Sequence, residues 1–331
     1  MSFDRRVGPG LFALFALLVL SACAPAGDAS EAPPPTRSVP AESGRQSGAQ
    51  SIAAQPQRIL LLTAMPIELA PLLQNTRVER VVTINGRRHH VGVLEGVDVV
   101  LVAAGISMVN ATMGAQAALD HFNVSAVIFA GIAGGANPNI HIGDVTVPAR
   151  WAQYQEHVFT DASRTGWRRG WRNEDLGNFG VMYPQRVRAS SPAGEADAEE
   201  LKLWFDVDPG LLARVERLVP QIALDRCTED GACADDEPRV LVGGNGVSGP
   251  TFVDDAAYRD WVWDTFAPDG FDMETAAVGH VAHANGVPYL GVRSISDMAG
   301  GNPNENRVES FAPIAARNAA AVVRALLADL R

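Results

Sequence analysis

The sequence predicts an α/β fold, and three observations carry that reading. Apolar runs recur at Ile59 to Leu62 and Val127 to Ala130, and a mainly apolar strand at Tyr289 to Ile295. Such runs mark strands covered on both faces, whereas a half-exposed strand alternates. Each run passes straight into a helix start or a glycine-rich turn. Finally, polar groups gather just past the ends of these runs: Glu68 after the first, and Ser296 and Asp297 after the last. In open α/β sheets the region beyond the carboxyl ends of the strands is where ligands bind.

The chain has 331 residues, 47% of them hydrophobic and 20% charged, with a formal net charge of -11. That length suffices for one large domain with additions, and the acidity argues against a nucleic-acid partner. Met1 to Cys23 reads as an export signal, with Arg5 and Arg6 ahead of an apolar run from Leu11 to Leu20 that is too short for a permanent membrane span. Leu20-Ser21-Ala22-Cys23 resembles a bacterial lipobox. On that reading residues 1–22 are removed, Cys23 carries the lipid, and the protein is anchored at the periplasmic face of a bacterial membrane. From Ala24 to Gln57 the chain is rich in Ala, Pro, Ser, Gly and Gln. It cannot bury enough apolar surface to fold and is expected to be a tether, with the domain occupying residues 58–331.

Within the domain, the strand at Ile59 leads to Ala64-Met65-Pro66-Ile67-Glu68. Proline in the first turn with an acid close behind marks a helix start. Val81 to Ile84 and Arg87 to Leu94, joined by Asn85-Gly86, predict a two-residue hairpin. Its Arg87, Arg88, His89 and His90 read as a solvated edge in preference to a phosphate or metal site. A strand at Val97 to Ala103 precedes Gly105-Ile106-Ser107-Met108 and a helix from Val109 to Phe122. The strand at Val127 runs into Gly131-Ile132-Ala133-Gly134-Gly135, where glycine lets backbone approach a flat ligand.

Residues 154–237 form an insertion with one clear helix, Pro209 to Leu218. Its Trp167 and Trp171 read as glue between the loop and the body. Cys227 and Cys233 bracket a short polar loop, and export favours a local disulfide there over two free thiols. No His lies in that loop, so no metal site is expected. Val240 to Val242 leads to Gly249-Pro250-Thr251-Phe252-Val253-Asp254. Met273-Glu274 sits at the mouth of a helix, and the strand from Tyr289 ends on Arg293-Ser294-Ile295-Ser296-Asp297. An apolar stripe from Phe311 to Leu330 predicts a last, packing helix.

In order and spacing, Met273-Glu274 and Arg293-Ser294-Ile295-Ser296-Asp297 resemble the purine nucleoside phosphorylase and 5'-methylthioadenosine/S-adenosylhomocysteine nucleosidase superfamily. The resemblance spans nearly all of residues 58–331 apart from the insertion. It implies a three-layer α/β/α sandwich with a mixed, partly barrelled central sheet. It also implies hydrolysis of the N-ribosidic bond of a purine nucleoside, without metal or organic cofactor, in a homodimer. Several details, among them Phe252-Val253-Asp254 and Asp272-Met273-Glu274, look closer to the plant bark-storage branch than to cytosolic bacterial nucleosidases.

Residue by residue, the resemblance makes Asp297 the acid at purine N7, oriented by Ser296, and Glu68 the base that activates water, steadied by Arg293. Glu274 takes the ribose hydroxyls, Phe252 stacks on the purine, and the Val253 backbone reads its edge. Met273, Ile106, Ala133 and Gly134 complete the expected pocket. Two departures matter. The phosphate-holding arginine of the phosphorylases is absent near Glu68, which favours water over phosphate as nucleophile. Ile132 stands where the nucleosidases carry serine, which keeps a non-catalytic nucleoside- or base-binding lipoprotein as a rival alongside a phosphorylase.

Overall fold

A computed structural model describes residues 52–161, 175–192, 197–228, 231–300 and 306–331. The proposed signal at 1–22, the lipidation site Cys23 and the pair Trp167 and Trp171 lie outside the described residues. Hydrogen bonding to the body begins just ahead of the expected domain start: Asn123 Nδ2 donates to the Gln55 carbonyl at 2.8 Å and Gln55 Nε2 donates to the His121 carbonyl at 3.2 Å.

The apolar runs become the centre of the sheet. Strands β1 (Arg58–Thr63), β4 (Val97–Ala103), β5 (Val124–Gly135) and β16 (Tyr289–Asp297) all run parallel. β1 and β16 are buried along their whole length, as their mainly apolar sequences require. β5 pairs β1 on one side and β16 on the other, and its last residues, Gly134 and Gly135, turn to an antiparallel contact with Phe271 and Gly270 of β15 (Pro268–Asp272). That branching gives the sheet its partly barrelled form. Beyond β15 lie β14 (Asn245–Ser248), β7 (Arg150–Gln153) and β12 (Trp204–Asp206), while β16 also pairs antiparallel with β6 (Val145–Val147), which pairs β13 (Val240–Val242). With the hairpin β2 (Arg77–Ile84) and β3 (Arg87–Leu94) at the other edge, this makes a mixed sheet of twelve strands.

Helices cover both faces, completing the three-layer α/β/α sandwich. α6 (Val308–Leu330) lies along β16 and β5 with α1 (Pro66–Gln74) and α3 (Pro209–Leu218) beside it. α2 (Met108–Leu119) and α5 (Thr275–Asn285) pack on each other in the second layer. The hairpin turn uses left-handed backbone at Asn85 and Gly86, with φ of 50° and 74°, as its two-residue Asn-Gly sequence requires. One expectation for this hairpin is corrected: His89 is buried against Phe122, at 5.9 Å between rings, because it falls on the inward face of β3.

The insertion folds onto the body as two small antiparallel pairs, β8 (His157–Phe159) with β9 (Met182–Pro184) and β10 (Val187–Ser190) with β11 (Glu199–Lys202). β12 and α3 then return the chain to the main sheet and its helical layer. Cys227 and Cys233 are joined by a disulfide. Asp255 caps the remaining helix, α4 (Ala256–Phe266), by accepting from the Tyr258 amide at 2.7 Å.

Candidate active site

Arg293 is the centre of the site. It points inward from β16, is almost fully buried, and stacks over the Phe129 ring with its guanidinium carbon 4.4 Å from the ring centre. Nε lies 2.7 Å from Asp272 Oδ2 and donates to Thr275 Oγ1 at 2.9 Å. Nη2 donates to Glu274 Oε2 at 3.2 Å, and Nη1 to the Ile132 carbonyl at 3.1 Å. Nη1 also stands 3.7 Å from Glu68 Oε1. Three buried carboxylates are therefore grouped around one cation. Such a group is tolerable only because each charge has partners.

Glu68 reaches this point because Pro66 starts α1 immediately after β1, placing the acid in the first turn. Its Oε2 accepts from the Ala64 and Met65 amides at 2.8 and 2.7 Å, and Oε1 from the Ile132 amide at 2.9 Å. Burial raises its pKa above the ordinary carboxylate value, opposed by Arg293 and by these amides. Glycine at 131 is required by this packing: a Cβ there would lie 2.3 Å from Glu68 Oε1 and 2.5 Å from Arg293 Nη1.

Glu274 occupies the N-cap position of α5, and its Oε1 accepts from the Ser107 amide at 2.6 Å. Burial pushes its carboxyl up to about 7; Arg293 pulls the other way and Asp272 adds to the rise. Asp272 is the residue that sequence reasoning left without a role. It ends β15, accepts from the amides of Glu274 and Thr275 at 3.0 and 3.1 Å, and takes the hydroxyls of Ser248 and Thr275 as well as Arg293 Nε. It thereby fixes the start of α5 and with it Glu274. The sequence Pro268-Asp-Gly-Phe-Asp272 has neither strand period nor apolar run, so its only signal was an acid two residues before Glu274.

Asp297 lies further along β16. Its Oδ1 accepts from Ser296 Oγ at 2.9 Å, and Oδ2 from the Ala299 amide at 3.1 Å and Asn306 Nδ2 at 3.4 Å. Burial raises its pKa, these hydrogen bonds lower it, and the nearby Asp254 raises it again. Ser296 Oγ also donates to the Ala133 carbonyl at 3.3 Å. The backbone from Gly131 to Ala133 thus touches every acidic group of the expected chemistry, either directly or through Arg293 and Ser296. In this conformation Asp297 opens on a cleft of about 330 Å³ that it shares with Asp254, Met298 and Asn306. Ser107, whose amide holds Glu274, opens on another of about 580 Å³.

Of the expected contact residues, Val253 and Ala133 are buried, Gly134 and Met273 are half-buried, and Phe252 and Ile106 are exposed. Phe252 and Val253 line a third cleft together with residues of the insertion. Among the described residues no cluster of His, Cys, Asp and Glu is arranged to hold a metal ion.

The sequence model of the "Phosphorylase superfamily" matches residues 58–328. The 5'-methylthioadenosine/S-adenosylhomocysteine nucleosidase of Mycobacterium bovis is 25% identical over 274 residues, which cover 80% of this chain and 95% of that protein. Among solved structures, the S. pneumoniae 5'-methylthioadenosine/S-adenosylhomocysteine nucleosidase bound to a transition-state inhibitor superposes with a TM-score of 0.61 at 26% identity, covering 83% of this chain and all of its own (100%). Futalosine hydrolase of Helicobacter pylori shares the fold, with a TM-score of 0.61 at 20% identity, 82% of this chain and 98% of its own being covered. With a family match over most of its length and the same mixed sheet, the chain belongs to the phosphorylase superfamily.

Proposed function

We propose that the protein hydrolyses the N-ribosidic bond of purine nucleosides of the 5'-methylthioadenosine, S-adenosylhomocysteine or adenosine type. The observation that carries this reading is the grouping of Glu68 and Glu274 around Arg293, with Asp297 ahead on the same strand and all of them tied to the Gly131–Ala133 backbone. Asp297, whose pKa burial raises above the ordinary carboxylate value, is the acid that donates a proton to N7 as the bond from the anomeric carbon to N9 breaks. Glu68 takes a proton from water as the water oxygen bonds to that carbon, a division of labour like that of inverting glycosidases. Glu274 accepts from the ribose hydroxyls and favours the positive charge that develops on the sugar.

The backbone part of this reading is independent of the side chain at position 132. Position 132 serves Glu68 through its amide and Arg293 through its carbonyl, and neither bond depends on the side chain. Water is favoured over phosphate because the loop after β1 offers an acid held by amides where an anion would need a cation. The test is the reaction in heavy-oxygen water: free ribose carrying the label marks a hydrolase, whereas sugar phosphate formed only with added phosphate marks a phosphorylase.

The lipid anchor at Cys23 and a homodimer belong to the same proposal. Val109 and Met113, one turn apart on α2, are exposed apolar side chains near Ser107, the kind of surface a second copy covers. Sedimentation of the purified protein checks the dimer, and loss of membrane association in a Cys23→Ser variant checks the anchor.

A further inference from the structure

The cleft beside Phe252 is larger than a base with a single small exocyclic group needs. It encloses about 560 Å³, and one wall is the segment Pro250 to Asp255, which includes Phe252 and Val253. The insertion supplies much of the rest of the lining, His157 and Phe159 of β8, Phe179, and Met182 of β9, and Tyr258 of α4 completes it. Phe179 sits edge-on to Tyr258 at 5.0 Å between ring centres, and His157 edge-on to Phe159 at 6.2 Å. Phe159 and Phe252 stay 69% and 55% exposed although both face this cleft. Two large exposed rings over one concave surface are a binding feature more than a packing one.

The polar groups narrow the occupant. Gln155 Oε1 and His157 Nε2 are buried without a hydrogen-bond partner, a state that costs free energy until a partner arrives. Burial lowers the His157 pKa below the ordinary histidine value, which disfavours a positive charge on its ring. The charged residues among those described in the lining are Asp254 and Asp255, and no Lys or Arg is among them. An anionic group, whether phosphate or carboxylate, is therefore repelled, while an uncharged ring with an N–H to donate is accommodated.

We propose that this cleft is a subsite for an uncharged, apolar or aromatic substituent on the purine edge read by Val253, so that the preferred substrates are base-modified nucleosides. This rests on the nucleosidase reading, in which Phe252 stacks on the base. The substituent lies between Phe159, Phe179 and Met182, and its linking N–H donates to Gln155 Oε1.

The test compares base release from adenosine and from N6-benzyladenosine by the full protein, and repeats it with Phe159→Ala and Phe179→Ala. Phe159 is exposed, so its replacement leaves the fold intact, and adenosine turnover by each variant is the internal reference. The expected result is a kcat/KM for the benzyl nucleoside at least about tenfold above that for adenosine, a preference that falls about tenfold in either variant. Equal or poorer turnover of the benzyl nucleoside, unaffected by the variants, would overturn the subsite and leave the nucleosidase reading standing. If neither nucleoside is cleaved, titration with N6-benzyladenine decides: binding that Phe159→Ala weakens about tenfold keeps the subsite while the hydrolase reading falls, and no such binding removes both.

Discussion

Glu274 and Arg293 illustrate how single groups set the behaviour of this site. The Glu274 carboxyl sits at about 7 in the folded protein against 4.5 when unperturbed, so the folded state holds its proton more tightly than the unfolded state does. The stability this contributes is fully present below pH 4.5 and is lost as pH rises through 7. Thermal stability should therefore fall between pH 5 and pH 8, and Glu274→Gln, which cannot ionise, should flatten that fall by an amount on the order of 2 kcal/mol. Activity should move the other way. Ribose recognition needs the carboxylate, so kcat/KM should climb as pH rises toward 7, and an unchanged acidic limb in Glu274→Gln would refute the assignment. Gly131 makes a steric prediction at the same scale. An alanine Cβ would press on Glu68 and Arg293 at once, and Gly131→Ala should cost about 2 kcal/mol of stability and at least tenfold in kcat.

Among the elements, those with a strong local signal were legible in the sequence. The hairpin about Asn85-Gly86, α3 from Pro209 to Leu218 and the core strands lie where apolar runs and turn residues put them. β16 ends on Asp297, where its sequence put it, the ladder with β5 continuing through a register shift after Ile295. β14 and β15 were not legible: they are short, each is interrupted by glycine and polar residues, and they are held by pairing with distant strands. The acids of the site could be read because each follows a strong strand or opens a helix, whereas Asp272 ends a strand with no pattern of its own. The disulfide between Cys227 and Cys233 closes a loop with a sequence separation of 6. Replacing both cysteines by serine should lower stability by about 2 kcal/mol, read by thermal unfolding, with little change in kcat.

Across the whole molecule the chemistry is placed by topology. Parallel β1, β5 and β16 deliver Glu68, the Gly131–Ala133 backbone and Asp297 to one end of the sheet, and β15 adds Asp272 and Glu274 from its antiparallel contact with β5. The insertion adds a wall beside Phe252 without disturbing that arrangement. The fold class was readable because it depends on buried strands that announce themselves. The branching of the sheet was not, since it depends on which strand finds the last residues of β5. On the proposed mechanism water cleaves the ribosidic bond with Asp297 supplying the proton. The most direct test of that mechanism is release of adenine from 5'-methylthioadenosine in phosphate-free buffer, by the native protein and by Asp297→Asn. Release that falls by about a hundredfold or more in the variant is the result expected. Undiminished release by Asp297→Asn, or none from the native protein until phosphate is added, would contradict it.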